Sequence, residues 1–67
     1  MRTEIDIQSD AGYIYFKDIK DGEVVGTISL NESLNVDLDV DGKILGIEIF
    51  NLSKNLPKGS LNNFNWK

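Results

Sequence analysis

The chain has 67 residues, of which 7 are basic and 11 acidic, giving a net charge of −4, and it contains neither cysteine nor histidine. A chain of this length holds one domain with a small core, burying roughly 60% of its unfolded surface. Missing cysteine excludes disulfides and thiolate metal sites, and missing histidine removes the commonest metal ligand and the commonest general base near neutral pH.

The dominant hydrophobic period is two, the strand signal. Ile5 and Ile7 alternate with Glu4, Asp6 and Gln8, and Ser9-Asp10-Ala11-Gly12 reads as a turn. Tyr13-Ile14-Tyr15-Phe16 follows as a strand, with Ile14 and Phe16 on one face and the two tyrosines on the other. Lys20-Asp21-Gly22 is the next turn, and Val24 to Leu30 the third strand, with Ile28 and Leu30 expected to face inward. After the polar link Asn31-Glu32-Ser33, residues 34–40 alternate without a break, Asp41-Gly42 punctuates, and Lys43 to Phe50 runs on as a strand.

Asp-Gly between two such runs predicts a two-residue hairpin loop with positive φ. Val40 then opposes Lys43, Leu38 opposes Leu45, Val36 opposes Ile47 and Leu34 opposes Ile49, so every inward residue meets an apolar partner. A one-residue slip destroys that match. Beyond Asn51 the alternation stops. Leu52 and Leu56 suit a short helical turn ended by Pro57, and Leu61, Phe64 and Trp66 follow among asparagines. The fold expected is all-β, a small antiparallel meander of about five strands in one domain over residues 1–56, with a tail over 57–67.

Residues 1–50 hold four basic groups and all eleven acidic ones, whereas the remainder holds only Lys54, Lys58 and Lys67. A body this acidic repels a phosphate backbone and attracts basic proteins. No apolar run approaches the ~20 residues that cross a bilayer, and Met1-Arg2-Thr3-Glu4-Ile5-Asp6 lacks the apolar stretch of a signal peptide. A bacterial-type cytoplasmic location is expected, with no nucleic-acid or membrane partner.

Asp37 to Glu48 meets the calcium-loop pattern of an EF-hand, with acids at Asp37, Asp39 and Asp41, glycine at Gly42, an aliphatic at Ile44 and Glu48 in twelfth place. That motif needs a helix on either side, and Val25-Gly26-Thr27-Ile28-Ser29-Leu30-Asn31 is poor in helix formers. The strand-turn-strand reading is adopted, and a calcium site at Asp37, Asp39, Asp41 and Glu48 is kept as the alternative. No catalytic residue and no cofactor is expected, because a serine or carboxylate here has no histidine and no evident cleft beside it. Tyr13 and Tyr15, on the second face with Val25 and Ile44, and Phe64 and Trp66, in the tail, are the candidate partner-binding residues, aromatics being favoured at interface centres. With apolar residues on both sheet faces, self-association is the expected cover.

Ser9-Asp10-Ala11 before Tyr13-Ile14, then Asn35 to Ile49 with its Gly46-Ile47-Glu48-Ile49 ending, then Asn51-Leu52-Ser53-Lys54, together resemble the small bacterial family called domain of unknown function 2283, over about residues 3–56. The resemblance implies a small β-rich fold and no known activity. Some members are encoded beside small toxin-like proteins, which implies an antitoxin-like or inhibitor-like role with a basic partner. Gly12 departs from the family's usual leucine, so a looser or bulged start to the second strand is expected there.

Overall fold

The computed structural model describes residues 1–60. Its elements are β1 (Arg2–Asp6), β2 (Ala11–Tyr15), β3 (Gly26–Asn31), β4 (Leu34–Leu38), β5 (Ile44–Ile49) and α1 (Leu52–Asn55). The five strands form a single sheet in the order β1-β2-β5-β4-β3, with every neighbouring pair antiparallel. The expected all-β antiparallel fold and the short C-terminal helical turn are both present.

Strand order adds what periodicity does not contain. β1–β2 and β3–β4–β5 are hairpin units, and β2 docks on β5 rather than on β3. The turn at Lys20–Glu23, with Gly22 at φ 79°, therefore lies inside a ten-residue connection, 16–25, instead of closing a hairpin. This connection passes the ends of β5 and β4, because Tyr15 opposes Gly46 at one side and Gly26 opposes Leu38 at the other. The third strand consequently begins at Gly26 rather than Val24.

The hairpin between β4 and β5 keeps most of the expected register. Leu34 opposes Ile49, Asn35 opposes Glu48, Val36 opposes Ile47 and Asp37 opposes Gly46. Its loop is one residue longer than expected. The Asp39 amide donates to the Lys43 carbonyl and the Gly42 amide to the Asp39 carbonyl, which leaves Val40, Asp41 and Gly42 in the loop with Gly42 at φ 78°. This is a tight turn closed by a left-handed glycine, an alternative that suits Asp-Gly as well as the two-residue loop does. The extra residue is absorbed at once: Leu38 opposes Ile44, the register shifts, and Leu45 is the bulged residue. Val40 is thereby pushed to the tip, where it is 80% exposed.

Two other expectations are corrected. Ile7 belongs to the turn Ile7–Asp10 and is exposed, since β1 ends at Asp6, whose Oδ1 accepts the Gln8 amide at 3.1 Å and bends the chain. β2 is regular at Gly12, which opposes Ile5 on one side and Ile49 on the other. The glycine there provides room: a Cβ would stand 3.0 Å from Ile5 Cδ1 and 3.3 Å from Leu52 Cδ1.

The core is small and lies on one face of the sheet. Ile5, Val36, Leu45 and Leu52 are buried, Leu52 to 1% exposure at the start of α1. Ile28 opposes Val36 and so shares the core face, as expected, yet it remains 50% exposed, and Leu30 is 62% exposed. β3 is an edge strand, and α1 covers the same face away from it, where Leu52 packs near Gly12 and Ile5.

Candidate functional site

Side chains opposed across a sheet share a face and alternate along each strand, so the register sorts them. One face carries Thr3, Ile5, Gly12, Ile14, Ile28, Leu34, Val36, Ile47 and Ile49. The other carries Arg2, Glu4, Asp6, Tyr13, Tyr15, Thr27, Ser29, Asn35, Asp37, Gly46 and Glu48. All the charged residues of the five described strands thus fall on one face, four acids and one base, and none on the other.

Tyr13 organises that face. From β2 it reaches across β5 to β4, where its hydroxyl donates to Asp37 Oδ2 at 2.6 Å. The ring lies over Gly46, whose absent Cβ would fall within 2.3 Å of Tyr13 Cε1. Thr27, on β3, donates to the other oxygen, Asp37 Oδ1, at 2.7 Å. One carboxylate therefore ties β2, β4 and β3 together on their polar side. Burial, then the hydrogen bond and charge of Asp37, hold the Tyr13 hydroxyl protonated far above the ordinary tyrosine range.

Tyr15 continues the group. Its ring centroid is 4.5 Å from that of Tyr13, and the Arg2 guanidinium carbon sits 4.1 Å over the Tyr15 ring. A hydrogen bond to Glu4 and partial burial raise the Tyr15 hydroxyl above its ordinary value. Beside Tyr13 a shallow depression of about 380 Å³ has Ile5, Ala11 and Gly12 in its lining, with Glu4, Asp6 and Glu48 among its polar members. Carboxylates around an aromatic ring suit the end of a lysine or arginine side chain.

The calcium alternative loses its geometry. Asp37–Glu48 is strand, turn and strand, with β4 reaching back to Leu34 and β5 running on to Ile49 where the motif needs helices. Both oxygens of Asp37 accept side-chain hydroxyls, and Asp39 Oδ1 is turned into its own loop, accepting the Asp41 amide at 2.9 Å and the Lys43 amide at 2.8 Å. Among the described residues no group of three or more acids stands close enough to hold a metal ion. Ile44 also leaves the aromatic face expected for it, because the bulge sets it opposite Leu38. Phe64 and Trp66 lie outside the described residues.

A second constellation went unnoticed in the sequence. Asp10, at φ 55°, receives the first amides of α1: Leu52 N–H donates to its carbonyl at 3.0 Å, Ser53 N–H to Oδ1 at 3.1 Å, and the Ser53 hydroxyl to Oδ2 at 2.7 Å. The turn after β1 thus caps a helix 43 residues further on. The only available signal is the pair of polar residues Asp10 and Ser53 in short turn-like motifs, which spacing alone does not connect.

Among the described residues no helix is long and apolar enough to cross a membrane. No curated protein and no solved structure matches the chain. Residues 2–53 match one family, and they include the Asp10–Ser53 clasp and the Tyr13–Gly46–Asp37 crossing, so the chain belongs to the family described as protein of unknown function DUF2283.

Proposed function

We propose that this chain is a non-enzymatic, self-associating cytoplasmic interaction protein that offers its acidic face to a basic protein partner, in the manner of an antitoxin or inhibitor. One observation carries the reading: the strand charges all lie on one face, around Tyr13 and Tyr15, and no strand residue on the other face is charged. A sheet with four acids and one base on a face draws cations and repels phosphate. The depression bordered by Glu4, Asp6 and Glu48 gives a basic side chain a place to end. Catalysis lacks support in the same depression, because the chain has no histidine to serve as a base beside its hydroxyls.

An arginine-rich peptide is the probe, titrated calorimetrically against the full chain at low and at physiological salt. Binding should weaken with salt, as contacts between exposed charges do. The variant Glu4→Gln/Glu48→Gln should weaken it roughly tenfold or more, about 1.4 kcal/mol. Asp18→Asn/Asp21→Asn, in the connection between β2 and β3, removes the same charge elsewhere and should leave the affinity near that of the parent. Equal losses in both variants would mean that net charge, not this face, attracts the peptide, and the proposal would fall.

A further inference from the structure

The self-association in the reading above requires a surface, and the uncharged face has one. α1 closes that face on one side, where Leu52 packs near Ile5 and Gly12. On the other side β3 is bare. Ile28 and Leu30 are at least half exposed, and so is Ile44 at the bulge, with Phe16 nearly so at the end of β2. Resting on the interaction-protein reading, we propose that Phe16, Ile28, Leu30 and Ile44 form the centre of a twofold dimer in which two sheets pack core face to core face.

Charge selects a second copy and selects this geometry. Sheets packed face to face lie about 10 Å apart, so the two acidic faces would point outward with roughly 20 Å between them. That exceeds two Debye lengths of about 8 Å at physiological salt, so the repulsion between two acidic chains is largely screened. The competing arrangement joins β3 to β3 edge to edge. It would set the acidic faces side by side in one continuous surface and leave Ile28 and Leu30 in water. β3 also carries a bulge between Ser29 and Asn31, a feature that hinders edge pairing. A basic partner, for its part, has nothing to pair with on a face whose strand residues carry no charge.

Area points the same way. The four side chains present apolar surface on the order of several hundred Å², the scale at which a patch marks an interface. A stable dimer needs about 800 Å² per partner, within reach once the neighbouring backbone and loops are included. Across a twofold axis each patch meets an identical one, so a surface with no charged strand residue is self-complementary by construction. The need is equally plain in a chain this short without a disulfide.

Sedimentation of the full chain at micromolar concentration tests the proposal. A dimer is expected, with Ile28→Glu and, separately, Leu30→Lys raising its dissociation constant roughly 30-fold or more, the effect of losing a central interface residue. Both positions are at least half exposed, and circular dichroism should show the folds intact. Ser29→Lys lies on the same strand but on the acidic face and should leave the dimer unchanged. A dimer that survives both Ile28→Glu and Leu30→Lys, or that Ser29→Lys alone disrupts, overturns this interface while self-association itself stands. A chain that stays monomeric overturns both, and leaves the peptide binding described above to be judged independently.

Discussion

Asp10 does two jobs that are separable by substitution. Its backbone turns the chain at φ 55°, where an L-residue other than Asn or Asp is strained, and its carboxylate caps α1 from the far end of the sequence. Asp10→Gly keeps the turn and deletes the cap. It should lower stability by about 1 kcal/mol, the net worth of the hydrogen bonds that its carboxylate makes to Ser53. Asp10→Ala adds left-handed strain and should cost about 1 kcal/mol more. Thermal melts resolve the difference, since about 1 kcal/mol shifts Tm by roughly 4–8 °C in a domain this small. Equal stability of the parent and Asp10→Gly would show that the clasp contributes nothing. Gly46 presents the converse case, a residue defined by what another side chain needs. Gly46→Ala must displace the Tyr13 ring and break its bond to Asp37, at a cost of about 1–3 kcal/mol. In a Tyr13→Ala background the same change should be close to neutral, because the obstruction has gone. Urea titrations of the four proteins make the cycle, and additive losses would refute the link. The Tyr13 hydroxyl also gives the stability a pH signature. Its pKa is raised on folding, so its contribution is complete below the ordinary tyrosine value near 10 and fades as pH climbs beyond it. The stability gap between the parent and Tyr13→Phe should therefore narrow under alkaline conditions.

The elements differ in how openly their sequences announce them, and the reasons are physical. β4 and β5 were legible down to the four residue pairs from Leu34–Ile49 to Asp37–Gly46, since their inward positions there are Leu, Val and Ile and their outward ones acid, amide or glycine, a contrast that register slippage would ruin. Loop length was not legible. Asp41-Gly42 supplies a left-handed glycine to either a two- or a three-residue loop, and the choice shows only in the hydrogen bonds of Asp39 and the compensating bulge at Leu45. Nor was strand order. Asp21-Gly22 carries the same local signal, but the pairing of β2 with β5 depends on contacts distant in sequence, notably Tyr13 with Asp37. In the same way the acidic face could be read from alternation, but the roles of Tyr13 and Asp37 in it could not. α1 was foreseen from Leu52, Leu56 and Pro57, and its importance exceeds its four residues. Leu52 is among the most deeply buried side chains described, next to Gly12 and Ile5. Leu52→Ala should cost about 2–5 kcal/mol. A chain of 67 residues commands roughly 3–10 kcal/mol in all, so this variant should lose a large share of its stability and melt well below the parent, which calorimetry would register directly.

At the scale of the whole molecule, the separation of charge from apolar surface makes salt a diagnostic variable. Glu4, Asp6, Asp37 and Glu48 share one face with a single base, Arg2, so folding gathers like charges that the unfolded chain holds apart. Screening relieves that repulsion. As ionic strength rises from about 0.01 M to 0.15 M, the Debye length falls from about 30 Å to about 8 Å, and the fold should gain stability over that range. The same screening acts against a basic partner, whose attraction depends on those carboxylates, and it should leave or strengthen a dimer joined through the uncharged face. Three equilibria of one chain thus respond to added sodium chloride with a predictable pattern of signs: melting temperature up, peptide affinity down, dimer affinity level or up. Measuring all three over one salt series separates the causes, because a general stabilising effect of salt on the protein would not by itself weaken the peptide. A melting temperature that falls with salt would mean that attractive pairs, such as Arg2 on Tyr15 and Lys17 with Glu23, outweigh the repulsion on the acidic face. The premise that this face concentrates unbalanced negative charge would then fail along with the recognition built on it.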